Sequence, residues 1–312
     1  MNTFLTALAS GLGQGAVYGL IAVSFVMIYR ATDVLNFAQP ALVGLGVFTT
    51  SYFALDMKIP FWVAVALAMA VIALLSIGIE RVAIRPMIGR PPFAAAIVTV
   101  GIFIVFLTVS NRLFGADQRT IGDPYGLKLF CLGGEVKDNF GTMSCDGGVL
   151  IYQYTIVRFI VAMLAVAALG FWLSRSKLGL GMRATAADQE TAMAQGISVG
   201  RMFALAWGIG GALAALGGAL LAMHGGVYQA TDVMFVLVAL PAIIIGGLDS
   251  LKGAVIGGLV VGLSMALTRA YQFQFFPWAG VNFELVVPYI LMLIVLLVRP
   301  YGLFGTKEVH RV

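Results

Sequence analysis

The side chains best suited to specific polar contacts are concentrated in residues 176–201, which read SKLGLGMRATAADQETAMAQGISVGR. The whole chain is 61% hydrophobic and only 11% charged, and this stretch lies between two apolar segments. Asp188, Gln189 and Glu190 offer polar contacts on a predicted short helix. So many polar residues in one short loop of an apolar chain indicate contact with a soluble protein partner.

The sequence contains no pattern for chemistry of its own. It has no GxxxxGK[ST] stretch to hold ATP, no His/Cys/Asp cluster at metal-ligand spacing and no GxSxG nucleophile elbow. We therefore predict no catalytic residue, no metal and no cofactor in this chain, which makes a membrane-embedded enzyme a weak alternative. Any energy from ATP has to come from another subunit.

Five polar residues lie within or at the ends of apolar segments, where such groups usually face the interior of a helical bundle. They are candidates for a translocation path: Gln14, Asn36, Gln39, Thr99 and His224. An interfacial position is the competing interpretation for His224. Glu80 and Arg81 fall at the end of an apolar segment, and snorkelling to lipid headgroups accounts for them without a function.

The elements that position these residues are apolar segments long enough to cross a bilayer, which takes about 20 residues each. The pattern predicts an all-α polytopic membrane protein with one transmembrane domain over residues 1–312 and about eight helices, within a range of seven to nine. The predicted spans are 4–29, 35–55, 61–79, 93–113, 154–173, 202–223 and 285–298. Two shorter pieces, 233–247 and 253–268, are either two thin crossings or one re-entrant hairpin.

The distribution of basic residues predicts the orientation. With the N-terminus outside and the C-terminus in the cytoplasm, 12 of the 19 Lys and Arg residues lie inside. The other seven lie outside: Lys58, Arg112, Arg119, Lys128, Lys137, Arg158 and Arg269. The net charge of +5 is thus a signal for membrane topology, and nucleic-acid binding is not expected. The predicted location is the inner membrane, in contact with lipid, with the 176–201 loop in the cytoplasm.

Both cysteines, Cys131 and Cys145, fall in the longest polar connection, 115–153, which the charge distribution already places outside. A disulfide between them is plausible in an oxidising compartment and would contribute about 3 kcal/mol. The alternative is two unpaired thiols in a flexible loop.

The local sequence of the 176–201 loop predicts one short helix. Gly179 and Gly181 are expected to break the preceding helix, residues 182–195 are good helix formers, and Gly196 is well placed to end the helix. Small side chains then share one face of this helix: Ala184, Ala187, Thr191 and Ala194. A helix this short needs a partner surface or the membrane domain for stability. An amphipathic connector lying on the membrane surface is the competing interpretation.

Glycines recur at four-residue spacing in two places. Gly11, Gly15 and Gly19 lie on the first predicted helix, and Gly253, Gly257, Gly258 and Gly262 come late in the chain. Such spacing lets helix backbones approach closely, either within a tight bundle or at an interface with a second membrane subunit.

The order of motifs resembles the permeases of branched-chain amino-acid ABC importers of the Liv type. The matching stretches are GLGQGAVYGLIAVSFVMIYRATDVLNFAQPALVGLG, GMRATAADQETAMAQGISVGR, GALAALGGALLAMHGGVY, AIIIGGLDSLKGAVIGGLVVG and LLVRPYGLFG. The resemblance covers nearly the full length, except for the loop around the two cysteines.

This resemblance implies that the chain works with several partners. Family members pair with a second, LivM-like permease subunit and with two cytoplasmic ATPase subunits that bind ATP and Mg, and they receive solute from an extracytoplasmic binding protein. The short helix in 176–201 then corresponds to the coupling helix that docks on an ATPase. The residues that match this motif, together with the neighbouring Glu190, are Arg183, Ala184, Asp188, Glu190, Ala192, Gly196 and Ile197.

One departure from the family pattern weakens any assignment of the solute. Where members commonly carry NFAHG, this chain has NFAQP, so Gln39 and Pro40 replace a titratable ring and a glycine. The resemblance leaves branched-chain amino acids, short amides, urea and aromatic acids open. An ion-coupled secondary transporter or channel is the alternative class, although it would require charged pairs within the spans.

Overall fold

The computed structural model describes residues 2–87, 90, 92–115, 119–122, 124–125, 128–139, 142–223, 237–275 and 277–306. These residues are mostly helical. The helices are α1 (Asn2–Thr32), α2 (Gln39–Ser51), α3 (Phe61–Ile79), α4 (Pro92–Phe114), α5 (Gln153–Arg175), α6 (Lys177–Ala187), α7 (Gln189–Ala194), α8 (Val199–Ala222), α9 (Ala239–Gly246), α10 (Leu251–Phe275) and α11 (Val287–Val298). Turns of π-helix extend α2 (Tyr52–Asp56) and α3 (Glu80–Ile84), and short 3₁₀ turns cover Arg85–Met87, Pro277–Ala279 and Phe283–Leu285.

Six helices in the described part of the chain are long and apolar enough to cross a membrane, which confirms the polytopic α-helical class. They are α1, α3 with its extension to Met87, α4, α5, α8 and α10. The predicted count of about eight is not confirmed. The piece at 253–268 belongs to the full-length helix α10, whereas α9 has only eight residues and is about 12 Å long. Within the described residues, the first piece contains a short helix and the second belongs to a helix long enough to cross a membrane.

Helix α1 lies at the centre of the bundle and packs against α10, α8 and α5. Its glycine stripe faces the glycines of α10 within the same chain. A Cβ atom on Gly15 would lie 2.9 Å from the carbonyl oxygen of Gly258, and one on Gly19 would lie 3.3 Å from the Cα of Val255. The glycine spacing thus serves close helix packing inside this subunit.

The 115–153 connection contains four strands that the helical prediction did not include. Strands β1 (Leu129–Leu132) and β4 (Val149–Tyr152) pair antiparallel, and β2 (Glu135–Asn139) pairs with β3 (Thr142–Asp146) in the same register. Together they form one long β-hairpin. Cys131 and Cys145 are bonded across it, with their Cα atoms 5.5 Å apart.

The hairpin and the 176–201 loop lie at opposite ends of the bundle. The amide of Leu150 donates to Thr6 Oγ1 and the side chain of Asn2 donates to the Gly147 carbonyl, so the hairpin rests on the start of α1. Arg30, at the other end of α1, lines a cleft together with Arg183. We call these two ends the hairpin end and the loop end.

Candidate functional site: the 176–201 loop and the buried polar network

The 176–201 loop folds into two helices, so the predicted single helix over 182–195 is wrong. The chain breaks at Asp188, whose backbone is extended at φ −161° and ψ 114°. Its carboxylate accepts hydrogen bonds from the amides of Glu190 and Thr191, at 2.9 and 3.0 Å, and from the Thr191 hydroxyl at 2.8 Å. Asp188 therefore caps α7, and the predicted face of small residues is divided between two helices.

Gly179 and Gly181 lie inside α6 and do not break a helix. Helix α5 ends at Arg175, and the Ser176 hydroxyl accepts the amide of Gly179 at 2.9 Å to start α6. A Cβ atom on Gly179 would overlap the backbone of Leu173, and one on Gly181 would lie 3.0 Å from the sulfur of Met202. The two glycines allow α6 to pack between the end of α5 and the start of α8.

Gly196 ends α7, as predicted. Its φ is +79°, its amide donates to the Met193 carbonyl, and the amide of Ile197 donates to the Ala192 carbonyl at 3.0 Å. This pair of bonds is the Schellman arrangement, which needs a residue that adopts positive φ easily. Nothing lies within 4 Å of a Cβ built on Gly196, so the backbone conformation alone favours glycine there.

Two charged side chains of the loop, Arg183 and Asp188, make bonds within the chain. Arg183 donates to the Leu173 carbonyl and fixes α6 to the end of α5. The hydrogen bonds from Thr191 and Glu190 lower the pKa of Asp188, which keeps its carboxylate ionised. Ala192 is buried and Ala184 half-buried, whereas Glu190 is exposed and Met193 is 55% exposed. The surface that faces outward thus contains both charged and apolar groups.

A cleft of about 1090 Å³ opens at the loop end of the bundle. One wall is formed by Arg183 and Asp188, and the other by the α9–α10 turn and the C-terminal segment. Asp249 holds that segment by accepting the amide and the hydroxyl of Thr306. Hydrogen bonds within the chain therefore hold residues on both walls of the cleft.

Glu80 does not snorkel to a membrane surface. Its side chain is 0% exposed, and it accepts two hydrogen bonds from Arg85, at 3.0 and 2.9 Å. Arg85 also donates to the carbonyl of Gly200 at 2.8 Å. This ion pair therefore joins the end of α3 to the first turn of α8. Arg81, in contrast, is exposed.

Three of the predicted path residues are buried around the connection between α1 and α2. Asn36 and Gln39 bond to each other, whereas Thr99 bonds to backbone groups on either side of Asn36, and we call these bonds together the buried network. Asn36 donates to Gln39 Oε1 at 2.8 Å, and Gln39 donates to Ser24 Oγ at 2.7 Å. Thr99 of α4 accepts the amide of Phe37 at 3.0 Å and donates to the Ala96 carbonyl. Asn36, Gln39 and Thr99 are 1%, 2% and 0% exposed. The network fixes the short connection between α1 and α2 against α4.

A small cavity of about 30 Å³ adjoins this network, and its lining includes Asn36, Gln39, Pro40 and residues of α9. Gln14 lies apart from it, half-buried on α1, with its amide donating to Tyr18 Oη at 3.0 Å. His224 lies outside the described residues.

Arg158 is not part of an outside loop. It is 8% exposed within α5 and donates to the carbonyls of Leu220 and Leu221, both at 2.7 Å. These are carbonyls at the end of α8, which cannot all bond within that helix. The guanidinium also lies over the ring of Tyr154, 4.8 Å from its centre.

Sequence reasoning missed Ser24, Arg85 and Arg158 as parts of these networks. A usable signal existed for the two arginines, because charged side chains near the ends of apolar spans require partners. The sequence gives no indication of which backbone carbonyls they reach.

Residues 7–296 match the model of the family described as branched-chain amino acid transport system / permease component. The chain belongs to this family. The permease is 32% identical to the high-affinity branched-chain amino acid transport system permease protein BraD of Pseudomonas aeruginosa, over 99% of this chain and 98% of that protein. It is also 30% identical to LivH of Escherichia coli, which has the same description, over 99% of this chain and 98% of that protein.

A more distant relative is the probable branched-chain amino acid transport permease protein LivH of Methanocaldococcus jannaschii. It is 26% identical over 92% of this chain and 88% of its own length. These relatives are transport permeases, in line with the absence of a catalytic motif from the sequence. Among the described residues of this permease, no group of three His, Cys, Asp or Glu could hold a metal ion.

Proposed function

We propose that this permease is the membrane subunit of an ABC importer and carries branched-chain amino acids or related small solutes such as short amides, urea or aromatic acids. The observation that carries the proposal is the folded 176–201 loop. Its two helices are defined by the Asp188 cap and the Gly196 stop, and it presents Glu190 and Met193 to solvent. A rigid loop of mixed polarity fits docking on a soluble ATPase better than lying flat on lipid.

The ATP and Mg of the cycle bind to two cytoplasmic ATPase subunits. The outward surface of the 176–201 loop, including Glu190, contacts an ATPase subunit. Arg183, Ala184, Asp188, Ala192, Gly196 and Ile197 hold the loop in shape. Arg183 and Asp188 act through bonds within this chain, so their role is to position the docking surface.

A second, LivM-like permease subunit completes the membrane part, and an extracytoplasmic binding protein delivers the solute at the hairpin end. The N-terminus is then outside and the C-terminus cytoplasmic. The opposite placement of the hairpin and the 176–201 loop supports this arrangement.

The translocation path passes the buried network of Asn36, Gln39 and Thr99. Gln14 and His224 remain further candidates for its lining. Amide and hydroxyl groups inside a membrane bundle need hydrogen-bond partners. A network whose groups can bond either to each other or to a passing solute suits alternating access. Gln39 gives this permease an uncharged amide where many family members have histidine, so the path does not titrate at that position.

A matched pair of double variants tests the role of the loop. D188A/G196A removes the cap and the positive-φ glycine, while the control D188N/G196N keeps a capping oxygen and a residue that adopts positive φ, in a position where nothing lies within 4 Å of a Cβ on residue 196. Both variants are reconstituted with the partner subunits, and ATP-driven uptake of L-[¹⁴C]leucine is measured. D188A/G196A should insert normally and lose uptake, while the control retains it. Normal uptake by D188A/G196A would overturn the proposal.

A further inference from the structure

A buried ion pair joins α3 to α8 at the loop end. The Glu80 carboxylate is 0% exposed and accepts two hydrogen bonds from the guanidinium of Arg85, whose side chain is 37% exposed. The geometry is bidentate, and this arrangement best offsets the free-energy cost of removing a carboxylate from water. Glu80 is therefore held in one orientation.

A local departure from α-helix brings the two residues together. Arg85 comes five positions after Glu80, a spacing that an α-helix does not place on one face. The π-helical turn Glu80–Ile84 widens the helix by one residue per turn and aligns the two side chains. Such turns occur frequently at functional sites.

The third member of the contact is a backbone carbonyl of α8. Arg85 Nη2 donates to Gly200 O at 2.8 Å. A Cβ atom on Gly200 would lie 3.3 Å from the guanidinium carbon, so a side chain there would press on Arg85. Gly200 is the second residue of α8 and almost the last residue of the 176–201 loop.

Helices α3 and α8 are also packed closely along their length. A Cβ atom on Gly208 would lie 2.9 Å from the side chain of Ile77, and one on Gly211 would lie 2.7 Å from the Cβ of Ser76. The contact at Gly200 fixes the loop ends of two helices that already fit together. A displacement of the loop that moves the start of α8 therefore also moves the end of α3.

We infer that Glu80, Arg85 and Gly200 form a positioning contact that carries displacement of the 176–201 loop into the α3–α8 pair. The inference rests on the proposed function, since it requires the loop to be driven by an ATPase. Without the contact, the first turn of α8 is no longer bonded to the end of α3, and only the packing further along the two helices remains. ATP hydrolysis then continues while less solute is moved for each ATP consumed.

The test uses E80M/R85M in the transporter reconstituted with its ATPase, second permease and binding-protein partners. Replacing both charges by apolar side chains of similar length avoids an unpaired buried charge, and such replacements commonly preserve folding. Leucine uptake and ATP hydrolysis are measured together in proteoliposomes. We expect hydrolysis to persist and leucine moved per ATP to fall roughly tenfold, the scale of coupling between distant sites.

The matched control is R81M. Arg81 lies in the same π-helical turn as Glu80, but its side chain is exposed and takes no part in the contact with Gly200. It should leave the ratio of leucine to ATP unchanged. R85K keeps the positive charge but cannot donate two parallel hydrogen bonds to Glu80. Its leucine-to-ATP ratio is expected to lie between those of wild type and E80M/R85M.

The outcomes separate the inference from the proposed function. A lower melting temperature in E80M/R85M and R85K with an unchanged leucine-to-ATP ratio means that the contact only stabilises the fold, which overturns the inference. If E80M/R85M does not assemble, the ratio in R85K decides in the same way. A wild-type complex that hydrolyses ATP but moves no leucine counts instead against the proposed solute.

Discussion

The crossing of α1 and α10 makes a quantitative prediction for Gly15. In a G15A variant the new Cβ atom would lie 2.9 Å from Gly258 O and 2.9 Å from Leu259 Cα, both backbone atoms of α10. Ordinary contacts of this kind need about 3.5 Å, so the two helices must separate by roughly half an ångström. Overpacking of this kind costs about 1–3 kcal/mol.

Gly170 provides the control for this substitution. It lies in the interior of α5, and nothing lies within 4 Å of a Cβ built on it. G170A removes the intrinsic helix penalty of glycine and should be neutral or stabilising by up to about 1 kcal/mol. The expected gap between the two variants is about 1–4 kcal/mol, or roughly 2–8 °C in melting temperature for a chain of this size.

Thermal unfolding of the purified variants in one detergent measures this gap. G15A should melt below wild type, and G170A at or above it. Equal melting temperatures would refute the account of α1 and α10 as a close glycine-mediated contact within this subunit. A defect in G15A seen only after assembly with a second permease would instead assign the stripe to an interface between subunits.

Further predictions concern the network, the loop and the hairpin. Q39L leaves Asn36 without its acceptor and should lower stability by about 1–3 kcal/mol in thermal unfolding; a variant as stable as wild type would mean the network contributes little. The lowered pKa of Asp188 means that its cap stabilises α7 above about pH 4, the unfolded value, and is lost as pH falls through the folded value. Amide protection factors in α7, which correct for the pH dependence of intrinsic exchange, should therefore fall only below about pH 4 in wild type, and a loss of protection already near pH 6 would contradict this. Mass spectrometry of unreduced protein should find Cys131 and Cys145 joined, and two free thiols would count against an oxidising location.

The long apolar helices were predictable because the membrane imposes one dominant requirement on them. A run of about 20 apolar residues leaves few alternatives to a crossing helix. The bounds of α10 were less predictable because Arg269 and Gln272 interrupt the apolar pattern near its end. Both residues are accommodated in the helix, and Arg269 pairs with Glu284 at 3.1 Å.

The local structure of the 176–201 loop was only partly predictable. A glycine directly after a run of helix-forming residues strongly predicts a helix end, and Gly196 ends α7 in the structure. Asp188 is ambiguous, because aspartate followed by glutamine and glutamate is compatible with a helix interior as well as with a cap. In the structure the amide and hydroxyl of Thr191 donate to the Asp188 carboxylate, which makes Asp188 a cap.

Two features depend on contacts that no sequence pattern records. The spacing of Glu80 and Arg85 is meaningful only once a π-helical turn is present. The β-hairpin lies in a polar connection where apolar periodicity gives no signal, and its two ladders pair on either side of the glycines at 133–134 and 147–148.

The most direct test of the central claim is leucine uptake by liposomes that contain this permease alone or with its partner subunits. The account predicts no uptake by the chain alone, with or without an ion gradient, and ATP-dependent uptake when the ATPases, the second permease and the binding protein are present. Uptake by the chain alone, driven by a proton or sodium gradient and indifferent to ATP, would contradict it.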